Sequence, residues 1–256
     1  NILGINLSTK IKDVKSYERE EGWQKFVLET TSGSFIPFLF KAPEKGNSYT
    51  LLSHSSGKDS IPSSDIKDLI KKGQGVLLVD IWGTGEQRSE TAVKIDGALP
   101  PFHTLSRSAQ WLGNTVMGNW VSDLQLVGEW LKQRDKKSIL NIQGYKETGI
   151  ASLLYTVFNE VQQATLVNTP YSYRFDERKG IDFYNMAIHI PGILKWGDVS
   201  LAAALSTATI VFKDTRSMSG KQMGIKQKTR ISAEFEALKK YTQNKKPVSF
   251  TESKTY

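Results

Sequence analysis

The residues best placed to do chemistry lie between positions 138 and 154. An apolar strand, Ser138–Ile142, leads through Gln143 into Gly144-Tyr145-Lys146-Glu147-Thr148-Gly149, and a helix over Gly149–Asn159 follows at once. A strand-to-helix turn this sharp lifts the side chain at its apex into the open, and it needs small residues on either side so that strand and helix can approach. Gly144 and Gly149 meet that need, and the apex is Lys146. A lysine there could condense with a carbonyl to an imine, but only as the free amine, and it cannot form the acyl ester of a serine nucleophile. The next residue, Glu147, puts a carboxylate just before the start of that helix.

Other reactive groups are few. The chain has three histidines, His54, His103 and His189. His54 closes a short strand, Thr50–His54, and runs into Ser55-Ser56-Gly57-Lys58, so an imidazole and two hydroxyls could form a displaced nucleophile–base pair. His103 and His189 fall in insertions, and no histidine follows the last strand, where the chain reads Thr251-Glu-Ser-Lys-Thr-Tyr256. Asp214 follows strand Ala208–Phe212 and is either an acid that orients a base or the carboxylate of an Asx-turn. The absence of cysteine removes thiolate ligands and nucleophiles. No two histidines sit at helical spacing and the carboxylates follow no calcium-loop pattern, so no metal site is expected. Glu86, Glu147 and Asp214 could hold a cation only if the fold brings them together. Gly83-Thr84-Gly85-Glu86 lacks the third, helix-opening glycine of a dinucleotide loop, so no cofactor is expected. Trp82, Trp111, Trp120, Tyr171, Tyr173, Tyr184 and Trp196 either face a sugar or pack a core beneath long insertions.

The elements that must position these groups alternate along the chain. Lys25–Thr30 and Ser34–Phe40 read as a hairpin around Thr31-Ser32-Gly33, and Thr50–His54 as a third strand. Ser64–Lys72 reads as a helix, with Ile66, Leu69 and Ile70 on one face. Gly75–Asp80 is an unbroken apolar strand, the pattern of a parallel sheet covered on both faces. An insertion at about 87–108 precedes a long helix, Ala109–Arg134. Strand Ala164–Asn168 is followed by an irregular insertion at about 171–205. Strand Ala208–Phe212, a helix with Ile231, Phe235 and Leu238 on one face, and strand Pro247–Phe250 complete the 256 residues. The order predicts one α/β domain over 1–256, a doubly wound, mostly parallel sheet with an N-terminal antiparallel hairpin and helices on both faces. Ligands of such sheets sit at the C-terminal strand ends.

Three segments together resemble the acetyl-xylan-esterase-like branch of the α/β-hydrolase superfamily, including the degenerate second domains of large bacterial esterases. They are Val79-Asp-Ile-Trp-Gly-Thr-Gly-Glu86, the turn around Lys146, and Ile190-Pro-Gly-Ile-Leu-Lys-Trp-Gly-Asp198 with the alanine-rich stretch Leu201–Leu205. The resemblance implies a carbohydrate-esterase fold in which Lys146 stands in the nucleophile's place. Glu147 then lies at the oxyanion position, Asp214 at the acid position, His54, Ser55 and Ser56 in the oxyanion-type loop, and the terminal histidine is missing. The expected function is a catalytically lost esterase-like domain that supports an active esterase domain or contacts a polysaccharide through Trp82, Glu86, Tyr171 and Trp196, in a periplasmic or secreted bacterial setting. An active polysaccharide deacetylase with non-standard groups is the alternative. A chain cut from a larger multidomain esterase before its histidine would explain the missing base, but not Lys146. A salt bridge from Lys146 to Glu147 or Asp214 would mean a site rebuilt as structure; an open pocket at Lys146 lined by aromatics would keep binding alive.

The net charge of +8 comes from 34 Lys and Arg against 26 Asp and Glu. Residues 213–256 hold 11 basic and 4 acidic residues and so carry +7 of it. That is either an interaction patch or a solvated helix face. Aromatic interleaving of the kind that stacks bases is missing there, so no nucleic-acid partner is expected. No apolar run is long enough to span a membrane.

Overall fold

The computed structural model describes residues 2–5, 8–18, 20–175, 180 and 182–253. Its strands are β1 (Ile11–Glu18), β2 (Trp23–Thr30), β3 (Phe35–Lys41), β4 (Ser48–His54), β5 (Gly75–Val79), β6 (Ile139–Tyr145), β7 (Gln163–Val167), β8 (Thr209–Lys213) and β9 (Val248–Thr251). Its helices are α1 (Ser63–Lys71), α2 (Glu90–Asp96), α3 (His103–Trp111), α4 (Val116–Arg134), α5 (Glu147–Phe158), α6 (Ile193–Trp196), α7 (Asp198–Leu205) and α8 (Ile225–Thr242). The strands make one sheet in the order β1-β2-β3-β5-β4-β6-β7-β8-β9. The pairs from β1 to β5 through β2 and β3 are antiparallel. Every pair from β5 onward is parallel. This is the α/β, mostly parallel architecture that the element order predicts, with the antiparallel strands at its N-terminal side.

The sheet's path decides where the helices lie. From β4 the chain steps one way to β5, and from β5 it crosses back over β4 to β6, then continues in that direction to β9. Right-handed crossovers put connections of opposite direction on opposite faces. So α4, α5, α7 and α8 pack side by side in one layer, while α1 packs on β5 from the other face. Phe26, Phe38 and Phe40, alternate residues of β2 and β3, close around Trp130 of α4. Phe212, Phe235 and Phe250 join β8, α8 and β9 in the same way. On the α1 side β6, β7 and β8 present several polar, partly buried residues, among them Asn141, Gln143, Thr165, Thr209 and Lys213, while Tyr145 and Val167 are buried there with Leu52, Val76 and Leu78.

Some elements differ from their sequence pattern. β1 extends the expected hairpin into a three-stranded meander; its residues are almost all exposed, and no apolar alternation marks it. Its charged side chains protect an open sheet edge. The single helix expected over Ala109–Arg134 is two: α3 stops at Trp111, Gly113 turns at φ +76, and Thr115 caps α4 by accepting from the Gly118 N–H at 2.8 Å. Ser64 lies inside the first turn of α1 rather than capping it. The stretch 87–108 holds α2 and part of α3, and 171–205 holds α6, α7 and a short 3-10 turn, Met186–Ile188. Residues 176–179 and 181 of that stretch lie outside the described residues. Among the described residues no helix is long and apolar enough to cross a membrane.

Candidate active site

The strand order reverses between β4 and β6, and a crevice opens at the C-terminal ends of strands that diverge in this way. His54 of β4 pairs directly with Tyr145 of β6. The loop Ser55-Ser56 and the turn Lys146-Glu147 therefore leave the sheet side by side.

The elbow is intact as backbone. Lys146 has φ 54 and ψ −121, a conformation that costs a non-glycine residue about 1–3 kcal/mol and persists only where the surroundings over-determine it. They do so here. Lys146 N–H donates to Val167 O at 2.8 Å and Gly149 N–H to Lys146 O at 3.1 Å. The Thr148 hydroxyl accepts from Tyr145 N–H at 2.9 Å and donates to Ser53 O at 2.7 Å. The glycines are required by close approach: a Cβ on Gly144 would meet Ser152 Oγ and Thr148 O at 2.4 Å, and one on Gly149 would meet Thr169 Oγ1 at 1.8 Å. Helix α5 starts at Glu147, two residues earlier than the sequence pattern places it.

The side chains on the elbow do not pair with each other. Lys146 is exposed, makes no ion pair among the described residues, and holds its Nζ 5.8 Å from the centre of the Phe183 ring. Glu147 turns inward and is 1% exposed. One carboxyl oxygen accepts from Asn185 N–H at 2.6 Å, while Oε2 has no hydrogen-bond partner. Burial raises this carboxyl above the ordinary glutamate range. The nearby Ser55 hydroxyl, the Asn185 amide and Glu147's own amide pull the other way. The carboxyl thus leans on the N–H next to the apex, the donor that an incoming oxyanion would need.

His54 accepts from Ser56 N–H at its Nδ1, 3.0 Å away, and its ring lies against that of Tyr145. Burial, with a smaller contribution from Lys146, lowers its pKa to about 4. A neutral ring whose Nδ1 accepts carries its proton on Nε2, so it has no lone pair with which to activate Ser55 or Ser56. Ser55 is buried at 5% exposure and Ser56 is exposed. Asp214 also stands at a strand end with positive φ, 52, but its carboxylate accepts from Ser253 N–H at 2.7 Å and from the Ser253 hydroxyl. It lines a small separate recess rather than the crevice.

The crevice is a cavity of about 400 Å³. Ser55, Ser56, Lys146 and Glu147 line it, together with Phe102, Leu105 and Phe183 and the charged Arg88 and Asp182. None of the three histidines does. Nor do Trp82, Glu86, Tyr171 and Trp196, the four residues expected to contact a ligand. The Trp82 backbone is pinned to α4: its N–H donates to Asp123 at 2.7 Å and its carbonyl accepts from Trp120 Nε1 at 2.8 Å. Glu86 pairs with Lys25 and with Lys58, 2.7 Å away, and Lys58 in turn reaches the fully buried Asp80 at 2.6 Å. Tyr171 is buried with its hydroxyl bonded to Gln227, and Trp196 packs against the core. Tyr173, Tyr184 and Trp120 are buried, whereas Trp111 is exposed beside Arg107. Glu86, Glu147 and Asp214 do not converge, and among the described residues no three acidic or histidine side chains gather as metal ligands do. Arg88, Phe102, Asp182 and Phe183 have no periodicity or motif to mark them in the sequence. The one hint is Pro100-Pro101, which sets Phe102 in a left-handed turn at φ 69.

A catalyst needs a nucleophile, a base within reach and a free oxyanion donor. The cavity offers an exposed amine, no imidazole, and a donor already faced by Glu147. Two exposed cations, Lys146 and Arg88, stand at its wall beside the rings of Phe102 and Phe183.

No family model and no curated protein matches the chain. Solved structures do. A candidate acetyl xylan esterase from Bacteroides fragilis superposes with TM-score 0.65 at 16% identity, over 96% of this chain and 70% of the other. Acetyl xylan esterase 1 from Thermoanaerobacterium sp. gives 0.59 at 13% identity, over 96% and 82%. A dienelactone hydrolase from Anabaena variabilis gives 0.55 at 14% identity, over 91% and 87%. At such identities the likeness establishes a fold and carries no residue roles.

Proposed function

We propose that this chain, whose fold is that of the α/β-hydrolases, has lost the chemistry of that fold. It acts as a non-catalytic partner of an active esterase domain, in the same polypeptide or the same complex, in a periplasmic or secreted setting. The observation that carries the reading is Lys146 at the apex of an elbow whose backbone is otherwise complete. The strained turn is held by neighbours on two strands, so it is kept as a packing device between β6 and α5 even without a nucleophile. Neighbours described as acetyl xylan esterases make a polysaccharide the natural setting for such a partner. A hydrolase that uses Ser55 or Ser56 with His54 is disfavoured, because Nδ1 is taken and Nε2 carries the proton.

A fluorophosphonate probe tests the reading. It labels serines that a base has activated, and we expect no adduct on the native protein at a concentration that labels an active esterase fully. An adduct mapped to Ser55 or Ser56 would overturn the proposal.

A further inference from the structure

We propose that the solvent face of α8, with the two lysines that follow the helix, is a track for an anionic polysaccharide, a chain of uronate sugars laid along the helix. No residue of α8 lines the cavity at the elbow, so the track works whether or not the elbow is catalytic.

The fold sorts the charges of residues 213–256, 11 basic and 4 acidic. The acids are engaged. Asp214 accepts from Ser253 N–H at 2.7 Å, Glu234 accepts from the Ser200 hydroxyl at 3.1 Å, and Glu236 pairs with the buried Lys239 at 2.8 Å. Glu252 lines the small recess that Asp214 and Lys228 share. The cations are turned outward. Lys226, Arg230, Lys240, Lys245 and Lys246 are all exposed and have no ion pair among the described residues.

These cations lie in a line. Residues 226, 230, 233, 237 and 240 recur at i, i+4, i+7, i+11 and i+14, which is one face of a helix. All five are exposed, while Ile231 and Phe235 bury the opposite face and Phe235 meets Phe212 and Phe250. At 1.5 Å per residue, Lys226 and Lys240 stand about 21 Å apart along the axis. Ala233 and Ala237 lie between them, so no long side chain obstructs a polymer there. Lys245 and Lys246 continue the line, in a loop that Asn244 fixes by donating to Ala204 O at 2.9 Å and Ser206 O at 2.8 Å. The helix's own stability does not account for this arrangement. The dipole favours cations in the last turn, but Lys226, Lys228 and Arg230 crowd the opposite end, and the first turn holds no acid.

The shape of the surface selects the polyanion. A protein partner needs an apolar centre to anchor it. Here the exposed apolar side chains, Ile225 and Tyr241, stand at the two ends of α8. Single-stranded nucleic acid needs a succession of rings for its bases, and this face has one. A uronate chain repeats a carboxylate on every sugar, so several can meet the line of cations at once. Tyr241, 87% exposed beside Lys240, offers a ring to a pyranose face.

Fluorescence anisotropy with a labelled oligogalacturonate long enough to span the track tests this, beside its methyl ester, polyglutamate and duplex DNA. Wild-type protein should bind the uronate chain and not the ester, and binding should weaken at least about tenfold between about 50 and 200 mM salt. The combined Lys226→Gln, Arg230→Gln and Lys240→Gln variant should lose at least about tenfold in affinity with its circular dichroism unchanged. Lys67→Gln, Lys71→Gln and Lys72→Gln together remove the same charge from α1, across the sheet, and should leave the affinity as it was. Tyr241→Ala should weaken the uronate chain and leave polyglutamate unaffected. Equal binding of acid and ester, indifference to salt, an equal loss in the α1 variant, or a Tyr241→Ala variant that binds the uronate chain like wild type would overturn the proposal. So would tighter binding of polyglutamate or duplex DNA, which would assign the track to an acidic protein segment or to nucleic acid.

Discussion

At position 146 a lysine holds φ 54 and ψ −121, a backbone state that favours glycine. Its N–H donates to Val167 O, its carbonyl accepts from Gly149 N–H, and the Thr148 hydroxyl ties Tyr145 N–H to Ser53 O, so the strain belongs to the turn and not to the lysine's chemistry. Lys146→Gly should therefore stabilise the fold by about 0.5–1 kcal/mol in urea unfolding, since relief of the strain outweighs the added freedom of the unfolded chain. A loss of stability would mean that the lysine side chain contributes contacts beyond its distant approach to Phe183. His54 gives a pH signature. Its folded pKa, about 4, lies below the ordinary 6.5, so the unfolded chain binds the extra proton between those values. Its contribution to stability is complete above pH 6.5 and is lost as pH falls towards 4. Relative to wild type, His54→Asn, whose amide oxygen can still accept from Ser56 N–H, should be more stable at pH 4.5 than at pH 7, read as the difference between the two proteins' melting temperatures at each pH. An unchanged pH dependence would place the titration elsewhere.

Elements follow from pattern where one face is buried, and that is where the sequence was legible. The apolar runs of β5, β7 and β8, the amphipathic α1 and the glycine-flanked elbow are all visible as patterns in the chain. β1 was not, because an exposed edge strand carries no apolar alternation, and the break between α3 and α4 was hidden by a nearly continuous helical composition around Gly113. The elbow's own requirement is steric. Gly149→Ala should cost about 1–3 kcal/mol, because the new methyl meets Thr169 Oγ1 at 1.8 Å and α5 must shift away from the sheet. A neutral effect in chemical denaturation would show that the helix can move freely. Helix α4 holds a second device. Asp123 is buried against Trp82 N–H, and burial raises its pKa to about 7 from 3.8. The folded protein binds the extra proton between those values, so this group favours folding below pH 3.8 and costs stability as pH rises through 7. Asp123→Asn should be more stable than wild type at pH 8, with the gain shrinking towards pH 4; a gain independent of pH would contradict that assignment.

Over the whole molecule, one reversal of direction in the sheet fixes both the position of the crevice and the helix layers. The sequence order of strands and helices carried that much. It did not carry the cavity's walls. Arg88, Phe102, Asp182 and Phe183 come from connections whose conformation depends on long-range packing, and the aromatic residues that looked suited to a sugar, Trp82, Tyr171 and Trp196, are drawn into the body of the protein instead. What could be read locally was residue identity: a lysine at the apex of the turn, and histidines at 54, 103 and 189. We propose that the fold persists without its chemistry. The most direct test is the initial rate of p-nitrophenyl acetate hydrolysis by wild-type protein, beside Lys146→Met and Ser55→Ala. We expect a wild-type rate no greater than that of an inert protein at the same concentration, and no difference among the three. Turnover well above that level, abolished by either substitution, would contradict it.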